Sequence, residues 1–358
     1  MARRWSSAIA WVGCCGCGFD VPPASYLNGT ELVMVRHAVE LGPLAPERAG
    51  PTFVGIEDAP IAEVLPGDRL WLEAVVADVD GRVIPADELE TLWLQCGFAC
   101  ERPWLDFADP LFDVRCAELD PHTTDDYCLL GTGDGRFELE VPEFGPYWAL
   151  GSVTEHISFY GVVAWAGRRA EDCWAQRRGD QRDLDRCGFI EHRVAIGPQW
   201  PALAHAASLG VELPIDPAEL PSWVLLQPAN RVPRPPSLRI MVDGERVAEG
   251  VAPLPPIRVE PGATIGVVLS FDPVSQSIQQ IVRPLSSEYQ GWELIAERLY
   301  SRTETSGAIR HDEDGDPEDG LLFYQVDPDA TAGTSRVLII DSDDRGAADF
   351  VTLEFVIR

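Results

Sequence analysis

Hydrophobic and polar residues alternate with a period of two over much of this chain. In "VLPGDRLWLEAVVADVDGR", Leu70, Leu72, Ala74 and Val76 fall on one side, and Arg69, Trp71, Glu73 and Val75 on the other. That pattern predicts a strand half-buried in a sheet. Pro66-Gly67 predicts a turn before it and Asp80-Gly81 a turn after it. "VEPGATIGVVLSFDP" repeats the design, with Pro261-Gly262 ahead of Ile265, Val267, Leu269 and Phe271 on one face. The offset is 195 positions, pairing Leu70 with Ile265 and Val76 with Phe271. A looser correspondence joins "ISFYGVVAWAG" near Tyr160 to "RVLIIDSDDRG" near Ile339, each an apolar strand followed by a turn. The final strand alternates Val351, Leu353, Phe355 and Ile357 with Thr352, Glu354 and Arg358. The predicted fold class is all-β: two Ig-like antiparallel β-sandwich domains, the first with long disulfide-braced insertions.

One segment reads both ways. "GWELIAERLYSR" has Leu294, Ile295, Arg298 and Leu299 at helical spacing, while Trp292, Leu294, Ala296 and Tyr300 fit a strand. Its place in the repeat matches the strand holding Trp93, which favours a strand. Between the two copies, residues 199–232 are rich in proline, which opposes a long helix or a central strand. A short helical turn over 202–208 is expected there, with Trp200 and Trp223 anchoring a linker. The predicted organisation is a signal and lipobox segment (1–17), a tether (18–30), a first sandwich with cysteine-rich insertions (31–198), the proline-rich linker (199–232) and a C-terminal sandwich (233–358).

The amino terminus changes the picture. Arg3 and Arg4 precede an apolar stretch from Trp5 to Gly13, then Cys14, Cys15 and Cys17. This reads as a bacterial export signal, with a lipid attached at Cys14 or Cys17. Its apolar core is about half the length needed to cross a bilayer. The expected location is therefore extracytoplasmic and membrane-anchored, at an outer membrane or cell surface.

The remaining six cysteines are Cys96, Cys100, Cys116, Cys128, Cys173 and Cys187. In an exported chain they read as disulfides. Cys173 with Cys187 would close one local loop, and the other four would pair among themselves. Zinc is the alternative: Cys96 and Cys100 have a ligand-like gap, but no second pair or histidine cluster accompanies them. The formal net charge of −30 repels nucleic acid and excludes it as a partner. All 28 basic residues are arginine.

"FDVPPASYLNG" after the cysteine cluster, "LEAVVAD", "TLWLQC" and the closing "LIIDSDDRGAADFVTLEFVIR" together resemble a family of surface lipoproteins of myxobacteria and their relatives. The resemblance implies a lipid-anchored envelope protein ending in an Ig-like domain. It covers both ends of the chain and implies no activity.

Candidate chemistry is sparse. Asp312, Asp314 and Asp316 alternate in an acidic run that could offer oxygens to calcium. Pro317 and Phe323 stand where an EF-hand needs glycine and glutamate, so a solvated hairpin loop is the competing reading. Asp341, Asp343 and Asp344 form a weaker acidic group, read as a tight turn. "GTGDG" at 131–135 lacks a lysine, and Asp134-Gly135 reads as a hairpin turn rather than a phosphate loop. No nucleophile elbow or zinc-protease helix occurs, and the six histidines are scattered, so the chain reads as a non-enzyme with no cofactor beyond that calcium. Trp104 and Trp174 lie in cysteine-bracketed loops, as recognition residues or as plugs for those loops. Arg168, Arg169, Arg177 and Arg178 form a basic cluster suited to an envelope protein or a polysaccharide. The expected role is binding or scaffolding at the envelope. The rivals are a structural stalk, a calcium-binding adhesion module and an enzyme of unrecognised type.

Overall fold

The computed structural model describes residues 24–27, 29–44, 60–96, 114–118, 128–141, 156–178, 183–197, 199–208, 210, 229–271, 280–284, 292–296, 299–316, 320–343 and 346–358. Cys14, Cys17, Cys100, Trp104 and Trp223 lie outside them.

The chain opens with β1 (Ala24–Tyr26), β2 (Glu31–Glu40), β3 (Glu63–Val64), β4 (Arg69–Ala77) and β5 (Leu89–Cys96). It continues through β6 (Cys128–Asp134), β7 (Arg136–Glu140), β8 (His156–Trp165), helix α1 (Ala170–Arg178), β9 (Cys187–Ile196) and helix α2 (Gln199–Ser208). Then come β10 (Ser237–Val242), β11 (Glu245–Val251), β12 (Ile257–Val259), β13 (Thr264–Ser270), β14 (Gln280–Pro284) and β15 (Trp292–Ala296). The last five are β16 (Leu299–Thr305), β17 (Ile309–Asp316), β18 (Leu321–Val326), β19 (Gly333–Asp343) and β20 (Ala348–Ile357). The described residues are thus mostly strand, as the alternation predicts.

The strands form two face-to-face pairs of sheets. In the first pair, the order β2-β4-β7 packs on β3-β9-β8-β5-β6. Val35, Leu70 and Leu72 meet Val64, Trp93, Ile157, Phe159 and Val194 in its core. In the second pair, β11-β10-β13-β18-β17 packs on β1-β16-β19-β20-β12. Leu238, Ile240, Ile265, Val267 and Tyr324 there meet Val337, Ile339, Leu353 and Phe355.

The strand orders show how the two pairs correspond. β4 and β13 each lie between two antiparallel partners. Leu70 and Ile265, related by the sequence offset, are both fully buried. A short strand pairs in parallel with the last strand of each copy, β3 with β9 and β12 with β20. β16 therefore takes the place of β5. The strand matching the one with Trp93 begins at Leu299, whereas Trp292–Ala296 pairs with β14 in a separate two-stranded ribbon.

The copies differ at one edge. β6 pairs with β5, whereas β17 crosses over and pairs with β18 in the opposite sheet. The free edge of β16 is filled by β1, in parallel, with Ala24 opposite Thr303 and Tyr26 opposite Thr305. Residues 24–26, expected within a tether, are thus sheet. The Leu27 amide donates to the Thr305 carbonyl at 2.9 Å, and its side chain is 1% exposed. Ordering three residues costs roughly 3–6 kcal/mol of backbone entropy. Burying one leucine returns about 1.5–3 kcal/mol. Leucine burial and the ladder hydrogen bonds are together what hold so short a strand.

The side chain of Leu27 sits in a seam between the two sheet pairs. Val33, Met34, Val75 and Ala77 of the three-stranded sheet pack there against Leu338 and Ile340 of β19. Val75, predicted to face outward with Arg69, Trp71 and Glu73, is 2% exposed because this second layer covers it. Polar contacts border the seam. The Arg302 guanidinium donates to the Val33 carbonyl, Asn230 Nδ2 donates to Asp343 Oδ2 at 3.0 Å, and Arg36 lies 3.6 Å from Asp349. Residues 229–232 run along it, bridging Ile61 through Arg231.

Three local expectations change. Asp134-Gly135 is a corner and not a hairpin, because β6 and β7 belong to different sheets. Gly135 suits the corner, since a Cβ there would lie 2.7 Å from the Ala86 carbonyl oxygen. The short turn over 202–208 is the full helix Gln199–Ser208, with Pro201 in the first turn, where its missing N–H breaks no helical bond. Within the acidic run, Asp312, Asp314 and Asp316 lie in β17 and not in a loop, with a bulge in the pairing to β18 between Asp312 and Asp316.

Candidate functional site

The most developed surface of the first sheet pair is built by α1. The sequence "GRRAEDCWAQRR" starts the helix with Glu171 and Asp172 in its first turn and ends it with Arg177 and Arg178 in its last. Both placements favour the helix dipole. Cys173 is joined to Cys187 at the start of β9, closing a 14-residue separation. The helix is thereby stapled across the outer face of the five-stranded sheet. Cys116 and Cys128 form a second bridge, and Cys96 is also disulfide-bonded.

Trp174 points down, not out. It is 6% exposed and packs with Leu92, Leu94, Val162, Ala164, Ala170 and Cys173. The reading of Trp174 as an open recognition residue is corrected: the helix needs an apolar footing, and this ring is most of it. Its role is the plug.

What remains exposed is a layer of arginine on aromatic rings. Arg178 stacks 5.6 Å from the Trp174 centroid and Arg177 5.4 Å from that of Phe189. Tyr160 lies between them, its ring 6.1 Å from Trp174 and 6.4 Å from Phe189. Burial pushes the Tyr160 hydroxyl above its ordinary pKa, and a hydrogen bond from Arg177 works against that shift. Cation–π contacts of this kind contribute about 0.5–1 kcal/mol at exposed sites and orient the guanidinium.

The four arginines of the sequence cluster are divided by the fold. Arg168 is largely buried and donates to the carbonyls of Asp185 at 2.5 Å and Asp183 at 2.7 Å, so it serves as a loop brace. Arg169 pairs with Glu171. Arg177 and Arg178 hold the outer positions of the aromatic layer.

Other candidates resolve differently. Among the described residues no group of three histidine, cysteine or acidic side chains is placed to hold a metal. Asp343 accepts from the Ala347 amide at 2.8 Å and from Asn230, which makes it a turn and seam residue. Asp341 is buried, accepts from Ser301 Oγ at 2.6 Å and is raised to about pH 6, mainly by burial.

Sequence reading missed the histidine pair. His37 on β2 and His192 on β9 meet with Nδ1 and Nε2 at 2.9 Å, and His37 Nε2 lies 2.8 Å from the Ala62 carbonyl. They are 155 positions apart, so no local motif marks them.

No family model matches the chain, and no curated protein does. Several solved structures show weak likeness. The adhesin InvE of Yersinia pseudotuberculosis matches at TM-score 0.16 and 8% identity, over 82% of this chain and 55% of its own. The Escherichia coli adhesin FdeC matches at TM-score 0.16 and 8% identity, over 93% of this chain and 67% of its own. A nucleoside hydrolase-related protein of Saccharophagus degradans matches at TM-score 0.21 and 12% identity, over 46% of this chain and 34% of its own. The chain thus spans about a third of that last protein and little more than half of InvE. Likeness at this level carries no functional argument.

Proposed function

We propose that this is an exported, lipid-anchored envelope protein that binds an acidic partner, an acidic polysaccharide foremost, through the α1 surface. It acts without catalysis, on two Ig-like sandwiches. The order β2-β4-β7 against β3-β9-β8-β5, with a parallel strand on the last one, supports the Ig-like reading. The observation that carries the binding reading is the Arg177–Tyr160–Phe189 and Arg178–Trp174 layer. It is a cationic surface on a chain of net charge −30, its guanidiniums seated on buried and half-buried rings and its helix held by a disulfide. Guanidiniums oriented over rings in this way suit the carboxylates of an acidic sugar.

The test is binding of a polyuronate, alginate, to the purified exported chain and to the Arg177→Glu, Arg178→Glu variant. Binding weakened at least tenfold in the variant supports this surface. Equal binding, or none by either protein, overturns it and returns the stalk reading. The seam is what favours the stalk, since a doubly tied pair of sandwiches makes a stiff spacer.

A further inference from the structure

The strand β1 belongs to the C-terminal sheet, although it precedes the first sandwich in the chain. Its pairing with β16 is parallel, so its amino-terminal residue, Ala24, lies at Thr303, on the side where β16 begins at Leu299. Whatever precedes Ala24 is attached there. Cys17 is seven residues upstream and Cys14 ten. Fully extended, those lengths reach at most about 25 Å and 35 Å. A ten-residue strand such as β2 spans about 33 Å. A tether from Cys17 is thus shorter than one such strand and one from Cys14 about equal to it, so the anchor keeps the Leu299 end of β16 as the part of the molecule nearest the lipid.

The α1 surface lies elsewhere. Leu338 and Ile340 cover the outer face of the sheet β2-β4-β7, whereas α1 covers the outer face of the opposite sheet. Two sheets, about 10 Å apart, separate the seam from α1. We infer that a lipid surface meets this molecule at the Leu299 end of β16, beside the seam, and that the α1 surface is turned away from it towards the outside. The inference rests on the anchoring proposed above. It turns β1 from a spacer into a clip that sets the molecule's orientation.

The absence of lysine provides the experiment. A single introduced amine reports one place to an amine-reactive label that does not cross membranes. Tyr300→Lys places it on β16, where Tyr300 is 46% exposed, and Arg177→Lys places it on α1. Each full-length chain is exported in a bacterial host, reconstituted into phosphatidylcholine vesicles, and labelled there and in detergent. Mass spectrometry of the amino-terminal peptide reads the acyl group separately.

The expected result is an acylated chain with labelling at position 300 reduced at least fivefold in vesicles and labelling at position 177 unchanged. An acylated chain labelled equally at 300 in vesicles and detergent, or protected at 177, overturns the orientation while leaving the anchor standing. A chain without an acyl group overturns the anchor, and the orientation with it.

Discussion

The Nδ1 of His37 and the Nε2 of His192 face each other at 2.9 Å inside the first sheet pair. Burial lowers the pKa of His37 to about 4, and burial together with the neighbouring His37 lowers that of His192. Both rings are neutral in the folded state, one donating to the other. The unfolded chain binds protons near pH 6.5 and the folded chain does not, so stability falls as pH drops from about 6.5 towards 4. For His37 alone the loss is about 3 kcal/mol. Denaturant unfolding across pH 8 to 4 should show it. His37→Phe combined with His192→Leu should flatten the profile in that window. An unchanged slope in the double variant would remove the pair as its cause.

Asp341 works in the other direction. Its folded pKa of about 6 lies above the ordinary 3.8, so its contribution is full below pH 4 and lost as pH rises through 6. At pH 7.5 a charge is held among buried groups beside Ser301 and Asp349. Asp341→Asn keeps the bond from Ser301 and removes the charge. The expected gain is about 1–2 kcal/mol, or a few degrees in Tm at pH 7.5, with no gain at pH 4. Thermal melts at both values check this, and a loss at pH 7.5 would refute it.

Gly81 closes the turn after β4 with φ of +71°, and a Cβ there would lie 2.6 Å from Ser306 Oγ and 2.9 Å from Arg336 Cβ. Arg336 Nη1 also donates to the Asp80 carbonyl at 3.1 Å, so this turn is pressed against the second sheet pair. Gly81→Val should cost about 2–3 kcal/mol, split between the left-handed backbone and the lost contact. Protease cutting at the seam should then be faster than in the wild-type chain. Unchanged cutting would mean that the turn does not hold the two halves together.

Removing the staple is the direct test of the α1 platform. Cys173→Ser with Cys187→Ser opens a loop of about 15 residues, for which chain entropy predicts a loss of about 3 kcal/mol. Trp174 should become quenchable in fluorescence once the helix lifts. A platform that stays shut and stable would show that packing of Trp174 alone suffices.

The fold was legible where one face of a strand was buried and the other wet. β4, β13 and β20 have that pattern, and their alternation predicted them. The seam was not legible, because the residues that build it look like ordinary strand neighbours. Val75 and Ala77 break the polar side of β4, and "VLII" at 337–340 is apolar on both faces. Such runs mean that both faces are covered, but they do not say by what. Trp174 illustrates the limit at the site. Composition marked it as unusual, and only packing decides between ring as plug and ring as contact. The histidine pair needed the β2–β9 approach, which is tertiary.

β1 and β20 lie in the same sheet, so the first described strand is held in the sheet that the last strands build. A pull on the amino terminus, as when an anchored molecule is tugged by what it grips, runs along β16. The ladder between Ala24 and Tyr26 is then loaded in shear, all its bonds at once, with Leu27 wedged behind it as a stop. Three residues become a mechanical fastening whose strength depends on the direction of the force.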